Sequence, residues 1–301
     1  MLISCGAPVA GAWAGPVSLG EFAARAEQLG YSGLWSFQRL LVGAEQAMLP
    51  VYHSVLDPMI ALTWAAAHTS TIRLGVAVIN IPYVSPAYLA KQAATLDVLS
   101  GGRLDLGLGT GWSEPEFRAT GSDPNPRGRR VAEYLAVLGT LWNDPVASFD
   151  GDLYRVPPST MAPSPVQAGG PPVLLGGTAD VALRRAGRLA AGWVSSSRLS
   201  FDEVARGTQI VRRAAEEAGR DPDAVRIVVR AVVHPGLRDD AVPLSGGWDQ
   251  IRAGADRYAA AGVTELFYDL NWDPLIGAPD ADPRVARERA EEILTALAPR
   301  R

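Results

Sequence analysis

Short apolar runs alternate with helix-start signals and amphipathic stretches along the 301-residue chain. A chain patterned this way buries its strands beneath helices, so each apolar run reads as a strand and each stretch as the helix that packs on it. The strands read as Leu2–Gly6, Gly33–Phe37, Ile72–Ile79, Arg103–Leu108, Val173–Leu175, Gly192–Ser195, Val225–Val229 and Thr264–Tyr268. Ser18-x-x-Glu21 and Ser200-x-x-Glu203 read as capping boxes. Asp57-Pro58, Ser85-Pro86 and Asp282-Pro283 read as N-caps followed by proline in the first turn. Further helices are expected from about Gly128 to Trp142, from Ala179, and over Gly247–Ala261. Eight strand–helix units imply an α/β fold, a (β/α)8 TIM barrel with insertions, in one domain spanning 1–301. Residues 145–172, rich in proline, break the rhythm and read as an insertion with a small hairpin. A doubly wound sheet is the fallback.

Composition removes several classes. With 48% apolar and 20% charged residues the chain is not disordered in bulk. A net charge of −4 without a basic block argues against nucleic-acid and membrane partners. Cys5 stands alone, so no intrachain disulfide or cysteine metal site forms, and the three histidines have no ligand spacing. The first basic residue is Arg25 and no apolar run reaches membrane length, so a cytoplasmic protein is expected. Lys91 is the sole lysine among 28 basic residues, a bias of high-GC codon usage such as that of actinobacteria.

Catalytic groups of a barrel sit at the C-terminal ends of its strands, so the loops there are searched first. Gly107-Leu108-Gly109-Thr110-Gly111-Trp112 would let a ligand approach the backbone and would offer it N–H groups. The same run mimics the first motif of Rossmann-type methyltransferases, which bind S-adenosylmethionine. That motif needs an immediate helix and an acidic residue about 20 positions on, and neither is present. Gly176-Gly177-Thr178, with Thr178 as N-cap, suits a phosphate at a helix N-terminus or is an ordinary tight turn. Ser195, Ser196 and Ser197 reach the same phosphate or form a solvated loop. Glu116 reads as the capping-box partner of Ser113, and His53 and Tyr83 as candidate substrate contacts.

The run from Pro86 to Trp112, with its Leu-Asp-Val-Leu-Ser-Gly-Gly-Arg and Gly-Thr-Gly-Trp segments, resembles the luciferase-like monooxygenase superfamily. It is most similar to the deazaflavin (coenzyme F420)-dependent oxidoreductases. Ile72–Gly75, Pro171–Gly177 and Ala190–Val194 carry the resemblance further. The resemblance implies a cofactor ring across the barrel mouth and a non-prolyl cis peptide at Ala77-Val78 behind it. It places Asn80 toward the ring, Gly109, Thr110 and Gly111 beside it, Trp112 as a wall, and Gly176, Gly177, Thr178, Ser195 and Ser196 at the phosphate. Dehydrogenases of the family carry an acidic residue and a histidine after strand two, and a glutamate after Gly-Thr-Gly. Here those places hold Gln38, Arg39 and Trp112. An alcohol dehydrogenase needs a base there, so a reductase is expected, with Arg39 stabilising negative charge and Gln38 beside it. The alternatives are a flavin mononucleotide (FMN)-dependent monooxygenase and a barrel that only binds a small molecule. The family also implies a homodimer.

Overall fold

The computed structural model describes residues 1–237, 239 and 242–300. Strand β1 (Leu2–Gly6) leads into α1 (Pro16–Gln28) and β2 (Gly33–Ser36). Then come α2 (Pro58–Ala67), β3 (Arg73–Asn80), α3 (Pro86–Ser100), β4 (Leu104–Gly109), α4 (Glu114–Thr120) and α5 (Arg127–Asn143). The hairpin β5 (Ala147–Asp150) and β6 (Arg155–Ser159) precedes β7 (Val173–Gly176), α6 (Asp180–Leu189), β8 (Gly192–Val194) and α7 (Phe201–Glu217). The chain continues through β9 (Arg226–Val232), the short pair β10 (His234–Pro235) and β11 (Ser245–Gly246), α8 (Trp248–Ala260) and β12 (Glu265–Asp269). It ends in α9 (Pro274–Gly277) and α10 (Pro283–Ala296).

Eight parallel strands close in the order β1-β12-β9-β8-β7-β4-β3-β2, the expected TIM barrel. In that ring β8 stands opposite β2. A closed barrel has no open-sheet switch point, which overturns the doubly wound fallback and with it the methyltransferase-type fold. The expected hairpin is the antiparallel β5–β6 pair within the 145–172 insertion.

Side-chain caps explain half of the helix starts. Asp57, Ser85 and Asp282 each accept a first-turn N–H, and Ser200 and Glu203 form the expected capping box. The Ser18 box does not form. Proline's fixed φ starts α1 at Pro16, so Ser18 lies buried inside the helix and Gly15 is the N-cap. Thr178 is not a cap either. Ala179 is the N-cap of α6, and Thr178 precedes it. The short helix α9 and the pair β10–β11 lie within stretches that read as loops, and α4 begins where the Ser113 signal falls, though without the side-chain cap.

Two cores result. The larger one lies between the strands and their helices. The smaller fills the barrel, where Trp35 and Phe267 stack at 5.3 Å among Leu174, Val194 and Val228. Below this layer Asp105 receives Arg73 and Arg226, and Arg226 also reaches Glu265. Glu265 accepts further bonds from Ser4 and the Trp35 indole. This satisfied polar network closes the N-terminal end of the barrel and leaves the C-terminal mouth as the open one.

Candidate functional site

A cavity of about 660 Å3 opens at the C-terminal mouth. That lies within the roughly 300–1,000 Å3 typical of cofactor sites. Its floor is an irregularity in β3. Pairing with β4 runs from Val76–Leu106 directly to Ile79–Leu108, and the Ala77–Val78 peptide between them is cis, as the resemblance implies. Period-two alternation on β4 sends Leu104, Leu106 and Leu108 to the outer core and turns Asp105, Gly107 and Gly109 inward. A Cβ on Gly109 would lie 2.5 Å from Val78 Cγ2, and one on Gly107 would meet the Val76 carbonyl. These glycines therefore make room for the β3 bulge, which corrects their reading as purely a ligand's approach path. Nor is the Gly111 N–H open to a ligand, since it donates to Asn80 Oδ1 at 3.0 Å. Asn80 in turn donates through its backbone N and Nδ2 to Gln38 Oε1, at 2.9 and 3.2 Å. Gln38 thus fixes Asn80, and Asn80 fixes the loop after β4.

Two arginines on the β2, β9 and β12 side are neutralised, Arg39 buried and Arg230 partly so. Arg39 Nη1 lies 2.9 Å from Glu116 Oε2, with only 4% and 2% of the two side chains exposed. Its guanidinium is covered by the rings of Tyr52 at 4.8 Å and Trp112 at 4.6 Å. Glu116 also accepts the Leu40 N–H, so it is an anchor for the loop after β2 rather than the Ser113 capping partner expected. The Ser113 hydroxyl is buried without a partner among the described residues. Arg230, on β9, donates through Nε to Asp269 Oδ2 at 2.7 Å and lies over Phe37 at 4.6 Å. Its backbone N–H donates to Ser195 Oγ.

The other side of the cavity differs. Arg127, Arg185 and Arg198 line it, and none of them forms an ion pair among the described residues. Arg198 follows β8, opposite the β2 loop that carries Arg39. Gly128 lets Arg185 lie close, since a Cβ there would sit 2.8 Å from its Nη2. The α6 N-terminus opens beside them; the Ala182 N–H donates to the Ala179 carbonyl, which leaves the N–H groups of Asp180 and Val181 at the start of the helix. An anion of phosphate type suits this side, and a flat apolar body suits the floor between Ala77–Val78 and Val194.

With this geometry the comparisons become specific. Residues 6–243 match the luciferase-like monooxygenase family. The chain belongs to that family. A protein of Mycobacterium tuberculosis described as uncharacterised is 32% identical over 250 residues, covering 82% of this chain and 78% of its own. The FMNH2-dependent dimethylsulfone monooxygenase of Pseudomonas putida is 33% identical over 170 residues, 56% of this chain and 46% of that enzyme. The structure of the coenzyme F420-dependent tetrahydromethanopterin reductase from Methanopyrus kandleri superposes with a TM-score of 0.75 at 18% identity. It covers 99% of this chain and 98% of that one, a likeness of fold alone.

On this luciferase-like barrel the cavity gathers nearly every residue singled out from the sequence. Gln38, Arg39, Ala77, Val78 and Asn80 line it, as do Gly109–Trp112, Gly176–Thr178, Ser195 and Ser196. Arg39 is buried and Trp112 is 53% exposed, so neither is an ordinary surface arginine or core tryptophan. His53 and Tyr83 are not among the lining residues. His53 ends a short turn of which Tyr52, its neighbour, does face the cavity. Tyr83 packs on Phe117 behind Gly111. Burial first, and then the nearby Glu116 carboxylate, push its phenol up to about 12. The sequence reading missed Phe37, Tyr52 and Arg230 on one side, and Arg127, Arg185 and Arg198 on the other. Arg230 carried a usable signal, since it follows the apolar run Val225–Val229 directly at a strand's C-terminal end. Arg127 and Arg185 carried none, because the two approach each other from helices far apart in sequence. Among the described residues no helix is long and apolar enough to cross a membrane, and no cluster of metal-ligating side chains occurs.

Proposed function

We propose that this luciferase-like oxidoreductase is a deazaflavin (coenzyme F420)-dependent reductase of a small organic substrate. One observation carries the choice of cofactor. Cations without carboxylate partners extend from the α6 N-terminus, through Arg185, to the exposed Arg127 and Arg198 at the rim. FMN ends at its phosphate, whereas the deazaflavin continues past its phosphodiester into a tail of carboxylates. An extended row of unpaired arginines suits the longer anion.

When bound, the reduced deazaflavin supplies a hydride to an electrophilic carbon. The residues of this chain do the remainder. The Ala77–Val78 bulge, with Val194, offers an apolar bed for the ring, and Gln38 and Asn80 hold the neighbouring loops rigid. Gly177, Thr178 and the first turn of α6 take the phosphate. Tyr52 and Trp112 wall the substrate side and exclude water. The positions where family dehydrogenases carry a histidine and a glutamate hold Arg39 and Trp112, which supports reduction over alcohol oxidation. The protein is proposed to act in the cytoplasm as a homodimer.

Titration of the purified chain with oxidised deazaflavin, FMN and S-adenosylmethionine tests this reading, with melting temperature and tryptophan emission as readouts. A cofactor at 100 times its Kd stabilises by about 2.7 kcal/mol. Micromolar binding of the deazaflavin, with FMN at least about tenfold weaker, is expected. Preference for FMN would transfer the assignment to oxygen chemistry, and binding of neither would overturn it.

A further inference from the structure

We infer that the substrate compartment selects an uncharged molecule carrying a hydrogen-bond acceptor, such as a carbonyl oxygen, and discriminates against carboxylates. The inference rests on the reading above, which gives the arginine-rich side to the cofactor tail. What remains is the side after β2, where Arg39, Tyr52 and Trp112 line the cavity. An arginine in a ligand cavity ordinarily marks an anion site. Here its charge is balanced by a carboxylate and its faces are covered. Glu116 is buried with it at 2.9 Å, and Tyr52 and Trp112 cover its guanidinium. Arg230, the next arginine around the cavity, is likewise held by Asp269. A carboxylate entering this side would surrender its hydration and would meet Glu116 behind Arg39 and Asp269 behind Arg230.

The donor that remains is specific. Nε and Nη1 of Arg39 are sealed from solvent without a hydrogen bond, Nη1 lies within ion-pair distance of Glu116, and among the described residues no side chain or carbonyl hydrogen-bonds Nη2. Nη2 is therefore the edge left for a ligand, between two aromatic faces that suit a flat unsaturated body. A neutral acceptor gains a charge-assisted hydrogen bond there without adding a net charge to the compartment. Glu116 has the role of a positioning and charge-setting residue. It touches Arg39 and the Leu40 N–H and is not itself among the residues lining the cavity.

The test uses three probes of one shape: cyclohex-2-en-1-one, cyclohex-1-ene-1-carboxylate and cyclohexene. Binding is read by calorimetry on the full chain, with and without deazaflavin, and needs no turnover. Wild-type protein is expected to bind the enone at least about tenfold more tightly than either of the others. Glu116→Gln keeps an acceptor for Leu40 but leaves Arg39 uncompensated, so the order is expected to reverse in favour of the carboxylate. Equal or tighter carboxylate binding by the wild type would overturn the inference. So would an unchanged order in Glu116→Gln, or no binding of any probe at about 10 mM. Should Glu116→Gln fail to fold, the wild-type order decides alone. Deazaflavin affinity is measured in the same experiment. Its failure with the probe order intact would sink the cofactor assignment and leave the charge selection standing, whereas the converse would sink only the selection.

Discussion

Arg39 and Glu116 are worth most as a pair. Two ions taken from water are tolerable together, and removing one leaves the other buried without compensation. Both side chains here are almost fully buried. Glu116→Ala is therefore expected to destabilise the fold by about 3–5 kcal/mol, read from the urea midpoint. Replacing both partners, Arg39→Met with Glu116→Leu, is expected to recover most of that loss, because the double change removes the charge along with its partner. A single and a double variant of equal stability would refute this account. Only part of the pair is legible in the sequence. Arg39 stands at a strand end, where charge attracts notice, whereas Ser113-x-x-Glu116 looks like a local cap. Local spacing favours the cap, and a tertiary ion pair overrides it.

Among the elements, β3, β4 and α6 shape the site. The Gly107 and Gly109 positions of β4 are occupied in space by the backbone and side chain of the β3 bulge. Gly109→Ala is expected to drive Val78 toward the cavity, costing about 1–3 kcal/mol of stability and weakening cofactor binding in parallel. Thermal melts and deazaflavin titrations of the same sample check both effects, and full affinity in the variant would show that Val78 does not border the ligand. On the α6 side, Arg127→Gln and Arg198→Gln are expected to weaken deazaflavin by about two- to fivefold each, as exposed charge contacts do. FMN affinity should change little, and the deazaflavin effect should shrink as salt rises. Equal losses for both cofactors would mean that these arginines serve the phosphate alone. The glycine motif drew attention correctly, yet its reason lay in another strand, which no local reading reveals.

For the whole molecule, the barrel separates a charged closed end from a functional open end. Burial alone would raise the Asp105 carboxyl, but hydrogen bonds from Arg73 and Arg226 outweigh it and hold the group below the usual carboxylate range. A carboxyl depressed in the folded state contributes stability that is present above its unfolded value, about 3.9, and is lost as pH falls through the folded value. The melting temperature of the wild type should therefore drop as acid is added below about pH 4. Asp105→Asn should melt lower at neutral pH and show a shallower fall over that acid range. Parallel curves for the two proteins would mean that Asp105 does not anchor the closed end.

The sequence by itself determined the number and order of strand–helix units, the helix caps at Asp57, Ser85, Ser200 and Asp282, and which strand-end loops to search. Those features are written in periodicity and in contacts between residues two to four apart, so a linear reading reaches them. Tertiary structure alone decided the charge of each part of the cavity. Whether Arg39 or Arg185 meets a carboxylate depends on chain segments that come together only when the barrel closes. The arginines look alike in the sequence. Glu116 and Asp269 neutralise two of them, whereas Arg127, Arg185 and Arg198 have no carboxylate partner among the described residues, so the two sides of one cavity differ in charge.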